Sequence, residues 1–387
     1  MLRSARIDAS AKPGKAANAI RVMLIDDSLT VRTIFKRMVE SDDGMVVQDT
    51  ASSAESGIAK LKTLDADAAP NVILLDLEMP GMGGLEALPT ILKVAPKTQV
   101  MVVSSLTEDG AESTVQALSQ GAADTMLKPR PGGFNEEYRA QLLDKIKALG
   151  KTDDSQSDRA DTKSSKDDSA DTGSQKWRSS APAEILAIGA STGGIHGINV
   201  LLKALGPNFD LPIVITQHLP SSFIPVFARQ IEVASGRPTH IADDGTEIRA
   251  GEIAIATGHG HMVVKRRADH FVARILAEPA KSGCLPSVDP MLSSLAKTCE
   301  GRVLAIILSG MGRDGLDGAE ELYAAGGTIW AQDAETSAVW GMPGAVAKAG
   351  IASFVAPAND LADAVMSEIV GANANAQRRE AMTDTVD

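Results

Sequence analysis

Short runs of Val, Ile and Leu recur along the chain, most of them followed by a stretch with helical spacing. In the first third, residues 21–25, 45–50, 72–75, 100–103 and 124–127 read as strands. Residues 29–39, 54–64, 85–94, 115–120 and 136–149 read as helices. Strands that are apolar throughout suit a parallel sheet covered on both faces. Strict alternation with helices predicts a doubly wound five-stranded parallel α/β domain. The same grammar returns later, with strands at 185–188, 212–216, 252–256, 261–264, 271–275, 303–308 and 328–330. Helices are expected there at 195–204, 223–234, 290–297 and 315–325. The close spacing of the strands from 252 to 275 predicts an antiparallel hairpin inserted in a second doubly wound α/β domain.

Between the two blocks, from Lys151 to Lys176, the residues are almost all Asp, Ser, Thr, Lys, Gln, Ala and Gly. Such a segment buries too little apolar surface to offset the entropy of ordering. The expected organisation is a disordered leader (1–19), a first domain (20–148), a flexible acidic linker (149–181), a second domain (182–371) and a tail (372–387). A net charge of -12 without a basic stripe argues against a nucleic-acid partner. No apolar run approaches the roughly 18 residues of a membrane span, and no apolar segment follows the N-terminal basic residues. Cys284 and Cys299 read as reduced thiols of a cytoplasmic protein. A monomer is expected.

The polar residues that end the first strands form a pattern. Asp26 and Asp27 follow the first, Asp76 the third, Ser104 the fourth and Lys128 the fifth. Ligands of open α/β sheets bind at these carboxyl ends. Three gathered carboxylates call for a hard divalent cation, and Mg²⁺ fits. A carboxylate beside that cation can attack a phosphoryl group to give an acyl phosphate. Ile25-Asp-Asp-Ser28, Leu75-Asp-Leu-Glu-Met-Pro-Gly-Met-Gly-Gly84, Val103-Ser-Ser105 and Lys128-Pro129 resemble the receiver domain of two-component response regulators. The resemblance implies that Asp76 accepts phosphate from a histidine kinase and that Asp26, Asp27 and Asp76 hold Mg²⁺. It also implies a flavodoxin-like sheet, with Ser104 as the switch hydroxyl and Lys128 as the phosphate-sensing cation.

The second block opens with Gly189-Ala-Ser-Thr-Gly-Gly194 between a strand and a helix. It fits a serine on a sharp turn, G-x-S-x-G, better than a phosphate loop, because neither G-x-G-x-x-G nor G-K-[ST] is present. A nucleophilic Ser191 needs a base and an orienting carboxylate. His218 ends one strand and Asp314 lies just past another. His196, His240 and His270 fit less well. His259 and His261 alternate as on one strand face, which would suit a metal, but no third ligand stands out.

Ile188-Gly-Ala-Ser-Thr-Gly-Gly194, Gln217-His-Leu-Pro220, Pro286-Ser-Val-Asp289, Ser309-Gly-Met-Gly-Arg-Asp-Gly315 and Ala331–Pro343 resemble the catalytic domain of the chemotaxis protein-glutamate methylesterases. With the receiver in front, the chain resembles the methylesterase response regulators. This implies Ser191 as nucleophile, His218 as general base, Asp314 as its orienter and the Met311 backbone N–H in the oxyanion hole. It further implies methyl-accepting chemoreceptors as substrates, glutamine deamidation at the same site, and no cofactor for the ester chemistry. Ala256-Thr-Gly-His-Gly-His261 and the long polar linker depart from the family's pattern.

Overall fold

The computed structural model describes residues 19–105, 107–129, 133–150, 177, 183–268 and 270–370. The leader, linker and tail expected from composition lie outside these residues, save residues 19, 149, 150 and 177. The chain divides into two compact units, Met1–Gln99 with Pro129–Ser157, and Val100–Lys128 with Asp158–Asp387.

Along the first block run β1 (Ile20–Ile25), α1 (Leu29–Val39), β2 (Met45–Ala51), α2 (Ala54–Leu61) and β3 (Val72–Asp76). They are followed by α3 (Gly84–Val94), β4 (Gln99–Ser104), α4 (Glu108–Ser119), β5 (Asp124–Leu127) and α5 (Glu136–Gly150). The sheet order is β2-β1-β3-β4-β5, the flavodoxin-like order expected. β1 pairs in parallel with β2 and β3, and β4 with β5. α4 starts seven residues before the predicted helix. Its first turns carry Glu, Asp, Gly and Ser rather than an apolar stripe, and Thr107 caps it by accepting from the Gly110 N–H. α5 runs through Gly150, past the expected linker start.

Along the second block run β6 (Ile185–Ala190), α6 (Gly194–Leu205), β7 (Ile213–Gln217), α7 (Ile224–Ser235), β8 (Thr239–Ala242), β9 (Glu247–Ile248) and β10 (Ile253–Ala256). Then come β11 (His261–Arg267), β12 (His270–Leu276), α8 (Val288–Cys299), β13 (Val303–Ile307) and α9 (Leu316–Ala324). β14 (Thr328–Gln332), α10 (Met342–Lys348), β15 (Ala352–Ala356) and α11 (Ala358–Ala364) complete it. Seven strands in the order β15-β14-β13-β6-β7-β10-β8 make one sheet, every pair parallel.

The expected hairpin insertion is present, but one of the three closely spaced strands lies outside it. β10 is a strand of the main sheet, its Ile-Ala-Ile-Ala buried throughout. Only β11 and β12 form the antiparallel hairpin, with β9 added to make a separate three-stranded sheet. α6 turns Ile195, Ile198, Leu201, Leu202 and Leu205 inward at helical spacing. Those five side chains contribute on the order of 1.5–3 kcal/mol each when fully buried. No helix among the described residues is long and apolar enough to cross a membrane.

The chain leaves β6 for β7 on one side and later returns to β13 on the other. β6 is therefore the point where strand order reverses, and open α/β sheets bind their ligands at the carboxyl end of such a strand. Ser191 follows β6 directly.

Candidate active site

Ala190 and Gln217 are partners across β6 and β7, so Ser191 and His218 are the next residues on neighbouring strands. The His218 N–H donates to the Ala190 carbonyl at 3.1 Å. On the other side of β6, β13 ends at Ile307, and the chain after it supplies Ser309, Gly310, Met311 and Asp314. The Ser191 N–H donates to the Ser309 carbonyl at 3.0 Å, tying the serine turn to that loop. The Gln217 side-chain amide donates to the Ser191 carbonyl at 2.9 Å. Close approach demands glycine here. A Cβ on Gly310 would stand 2.9 Å from the Ser191 Cβ and 2.3 Å from the Met342 sulfur. Gly193 holds φ at +77°, which a side chain would strain.

The structure brings His218 and Asp314 together. His218 Nε2 lies 2.7 Å from Asp314 Oδ2. A carboxylate only accepts, so Nε2 carries the proton and Nδ1 is left as the acceptor. The ring thus faces its carboxylate with the nitrogen opposite to that of the serine-protease arrangement. Asp314 is fixed in turn. Ser287 Oγ donates to Oδ1 at 2.6 Å and the Val288 N–H to Oδ2 at 2.7 Å. Ser191 Oγ has no hydrogen-bond partner among the described residues, so a bond to His218 is not formed in this state. Such contacts often tighten only when substrate is bound. The Met311 N–H likewise has no acceptor among the described residues, which leaves it available as a donor.

Burial opposes the charge on both partners. It acts to lower the His218 pKa, but the bond to Asp314 and the Cys284 thiol outweigh it and hold the imidazole up at about 9. Burial acts to raise Asp314, yet His218, the Ser287 hydroxyl and the Val288 N–H hold it well below the usual carboxylate range. Asp289 is pushed up to about 7 by burial and by the Asp314 charge, against the Gly318 N–H that it accepts.

Sequence reasoning missed the groups that hold Asp314 in place. Ser287 and Val288 lie in the Pro286-Ser-Val-Asp289 stretch, which the resemblance contained without a role. His261 is also part of it. This residue is buried and its Nδ1 accepts from the Ser287 N–H at 2.9 Å. The idea of a metal on His259 and His261 fails on this point. His259 sits outside the strand, exposed, with its Nδ1 2.6 Å from Thr257 Oγ1. Cys284, read as an ordinary thiol, puts its sulfur within 4.8 Å of a His218 ring nitrogen and an Asp314 oxygen.

In the first unit, one carboxylate oxygen from each of Asp26, Asp27 and Asp76 lies within 4.8 Å of the others. Asp26 accepts from the Ser28 N–H at 2.8 Å and Asp76 from the Glu78 N–H at 3.0 Å, which aims the carboxylates. Asp26 and Asp76 are buried and Asp27 is exposed. In the second unit, Ser104 is buried at the end of β4 and accepts from Thr114 Oγ1 at 2.7 Å. Lys128 follows β5, its N–H donating to the Ser104 carbonyl at 2.7 Å.

Residues 100–128 pack with the rest of their unit through specific bonds. Thr192 Oγ1 donates to Asp124 Oδ2 at 2.7 Å, and the Gly193 N–H to the Ala123 carbonyl at 2.6 Å. Glu112 pairs with Arg229 at 2.8 Å, and the Ser119 hydroxyl accepts from the Asn199 amide at 2.9 Å. The two residues after Ser191 are therefore held by the β5 end of this segment.

An aspartate-bearing sheet of this order, joined to an output domain with a serine at its switch point, defines a response regulator whose output is a hydrolase. Two family models match accordingly, the response regulator receiver domain over residues 22–134 and the CheB methylesterase over 186–365. The chain is 38% identical to protein-glutamate methylesterase/protein-glutamine glutaminase 1 of Paramagnetospirillum magneticum, over 92% of this chain and 97% of that protein. It is 36% identical to the Maricaulis maris protein of the same activity name, over 94% and 98%. The crystal structure of the Thermotoga maritima CheB methylesterase catalytic domain is 33% identical. It covers 48% of this chain and 99% of that chain, with a TM-score of 0.47. The chain belongs to the protein-glutamate methylesterase/protein-glutamine glutaminase family.

Proposed function

We infer that the protein removes methyl groups from glutamyl γ-methyl esters of chemoreceptors, and deamidates glutamines, under the control of its receiver in chemotactic adaptation. The observation that carries the chemistry is the His218–Asp314 bond at the strand end beside Ser191. Ser191 Oγ attacks the ester carbonyl while His218 Nδ1 takes the hydroxyl proton. Asp314 holds the ring and stabilises the imidazolium. The Met311 N–H, one residue past Gly310, donates to the oxyanion. His218 returns the proton to the departing methoxide, and methanol leaves. Water, deprotonated by the same imidazole, then releases the glutamate. A glutamine follows the same route and loses ammonia.

The test is methanol release from methylated receptor, measured against pH. Only neutral imidazole accepts the proton, so the raised pKa of His218 leaves a small active fraction at neutrality. We expect kcat/KM to climb about tenfold per pH unit from pH ~6 and to level near pH ~9. A flat profile over that range would remove His218 from the role of base.

Control rests on Asp76. Asp26, Asp27 and Asp76 would hold Mg²⁺, whose charge offsets that of the incoming phosphoryl group. Asp76 is the acceptor, Ser104 the switch hydroxyl and Lys128 the cation that meets the phosphate, with a histidine kinase as donor in the cytoplasm. The support for gating is the hold of Ala123 and Asp124 on Thr192 and Gly193. A shift of the segment 100–128 on phosphorylation frees the serine turn. A small-molecule phosphodonor should raise kcat/KM of the full chain by about tenfold, within the usual range of coupling between sites. The Asp76→Asn chain should not respond, and an equal response from both would exclude Asp76 as the trigger.

A further inference from the structure

Beyond this chemistry, the side chains around His218 suggest a second occupant. We propose that His218, Cys284 and Asp314 form a binding site for Zn²⁺ or a similar borderline divalent ion, and that the bound ion shuts the esterase off. The proposal rests on the three donors and not on the reaction assigned to them.

One ligand atom from each residue lies within 4.8 Å of the other two. Imidazole nitrogen, thiolate and carboxylate are the donor types zinc takes, and thiolate disfavours Mg²⁺ and Ca²⁺. A tetrahedral ion with bonds of about 2.0–2.3 Å keeps its ligand atoms about 3.3–3.6 Å apart. Binding therefore opens the Nε2–Oδ2 pair from 2.7 Å by roughly half an ångström and draws the sulfur inward. The thiol proton leaves to solvent, and the imidazole gives up the proton on Nε2 and carries one on Nδ1 instead, so that it stays neutral.

The surroundings suit a ligand set. Asp314 is oriented by the Ser287 hydroxyl and the Val288 N–H, the outer-sphere support that ligating carboxylates have. The Asp314 side chain is 1% exposed and that of His218 16%, while Cys284 is partly exposed. Three protein ligands and an open side leave the fourth position for water. An ion here uses the lone pair and the proton that the relay needs, so binding and catalysis exclude each other. Cys284 thereby gains a task that the ester chemistry does not give it.

The experiment titrates the full chain with Co²⁺, whose bond to thiolate gives an intense charge-transfer band in the near ultraviolet. The wild-type chain and Cys299→Ser should show the band, and Cys284→Ser should lack it. Ions at the Asp26, Asp27 and Asp76 cluster contribute none, since no thiol is among those ligands. Zn²⁺ should displace the band and inhibit methanol release, with an inhibition constant weakened about tenfold or more in Cys284→Ser. A second measurement uses the unaltered protein: Zn²⁺ should protect Cys284 from alkylation by iodoacetamide, read by peptide mass. No band in the wild-type chain, a band that survives in Cys284→Ser, or alkylation indifferent to Zn²⁺ each overturns the site. These readouts need no turnover, so they stand apart from any failure of the esterase assignment.

Discussion

Ser191→Ala lowers methanol release by roughly 10⁴- to 10⁶-fold, the range in which serine hydrolases fall when their nucleophile is removed. The size follows from the loss of the covalent route. The remaining imidazole and backbone donors can still bind ester and polarise its carbonyl, which leaves a residue of activity. The fold should not suffer. Ser191 Oγ accepts and donates no hydrogen bond among the described residues, so its removal orphans no buried partner. The backbone bonds of residue 191 to Ser309 and Gln217 survive the change. A rate within tenfold of wild type, in a protein with an unaltered melting temperature, ends the assignment of Ser191 as nucleophile.

The second large effect is that of Asp314→Asn. An asparagine can keep its carbonyl oxygen toward His218 and the Val288 N–H, and turn its amide toward the Ser287 hydroxyl, which can then accept. Packing is preserved and the negative charge is lost. The imidazolium formed during attack then has no counter-charge in a buried setting. We expect kcat to fall by roughly 10³- to 10⁴-fold. The acid limb of the pH profile should also move down, because the bond to Asp314 is the main influence raising the His218 pKa. A loss under tenfold, or an unmoved acid limb, means that Asp314 does not act through His218.

The strands at the centres of both sheets were legible because they are runs of apolar residues, as in Val72–Asp76 before its final aspartate and in Ile185–Ala190. The edges were not. β8 is Thr-His-Ile-Ala and β15 Ala-Ser-Phe-Val-Ala, and each faces one neighbour in the sheet and is partly exposed, so neither needs a continuous apolar run. α10 opens on Met342-Pro343-Gly344, where proline fits a first turn but reads as a breaker in sequence. The grouping of β10 with the hairpin has a similar cause. β10 and β11 are both apolar and close in sequence, and only three-dimensional pairing sends one into the main sheet.

In the site, the serine, imidazole and carboxylate could be read from the strand ends at which they fall. Their supports could not. Ser287, Val288 and His261 act through single bonds from a loop and a hairpin strand, and such contacts leave no periodic trace. Cys284 was passed over for the same reason. Its significance lies in a distance, and a residue 66 positions from His218 along the chain gives no hint of it.

His218 and Asp314 are 96 residues apart and come from opposite sides of the strand that bears Ser191. A chain emerging from the ribosome exposes its serine turn long before the carboxylate has been synthesised. Until β13 slots in beside β6, the imidazole lacks the carboxylate that anchors it. On the proposed mechanism, a truncated or half-folded copy that lacks this pairing cannot complete the proton relay.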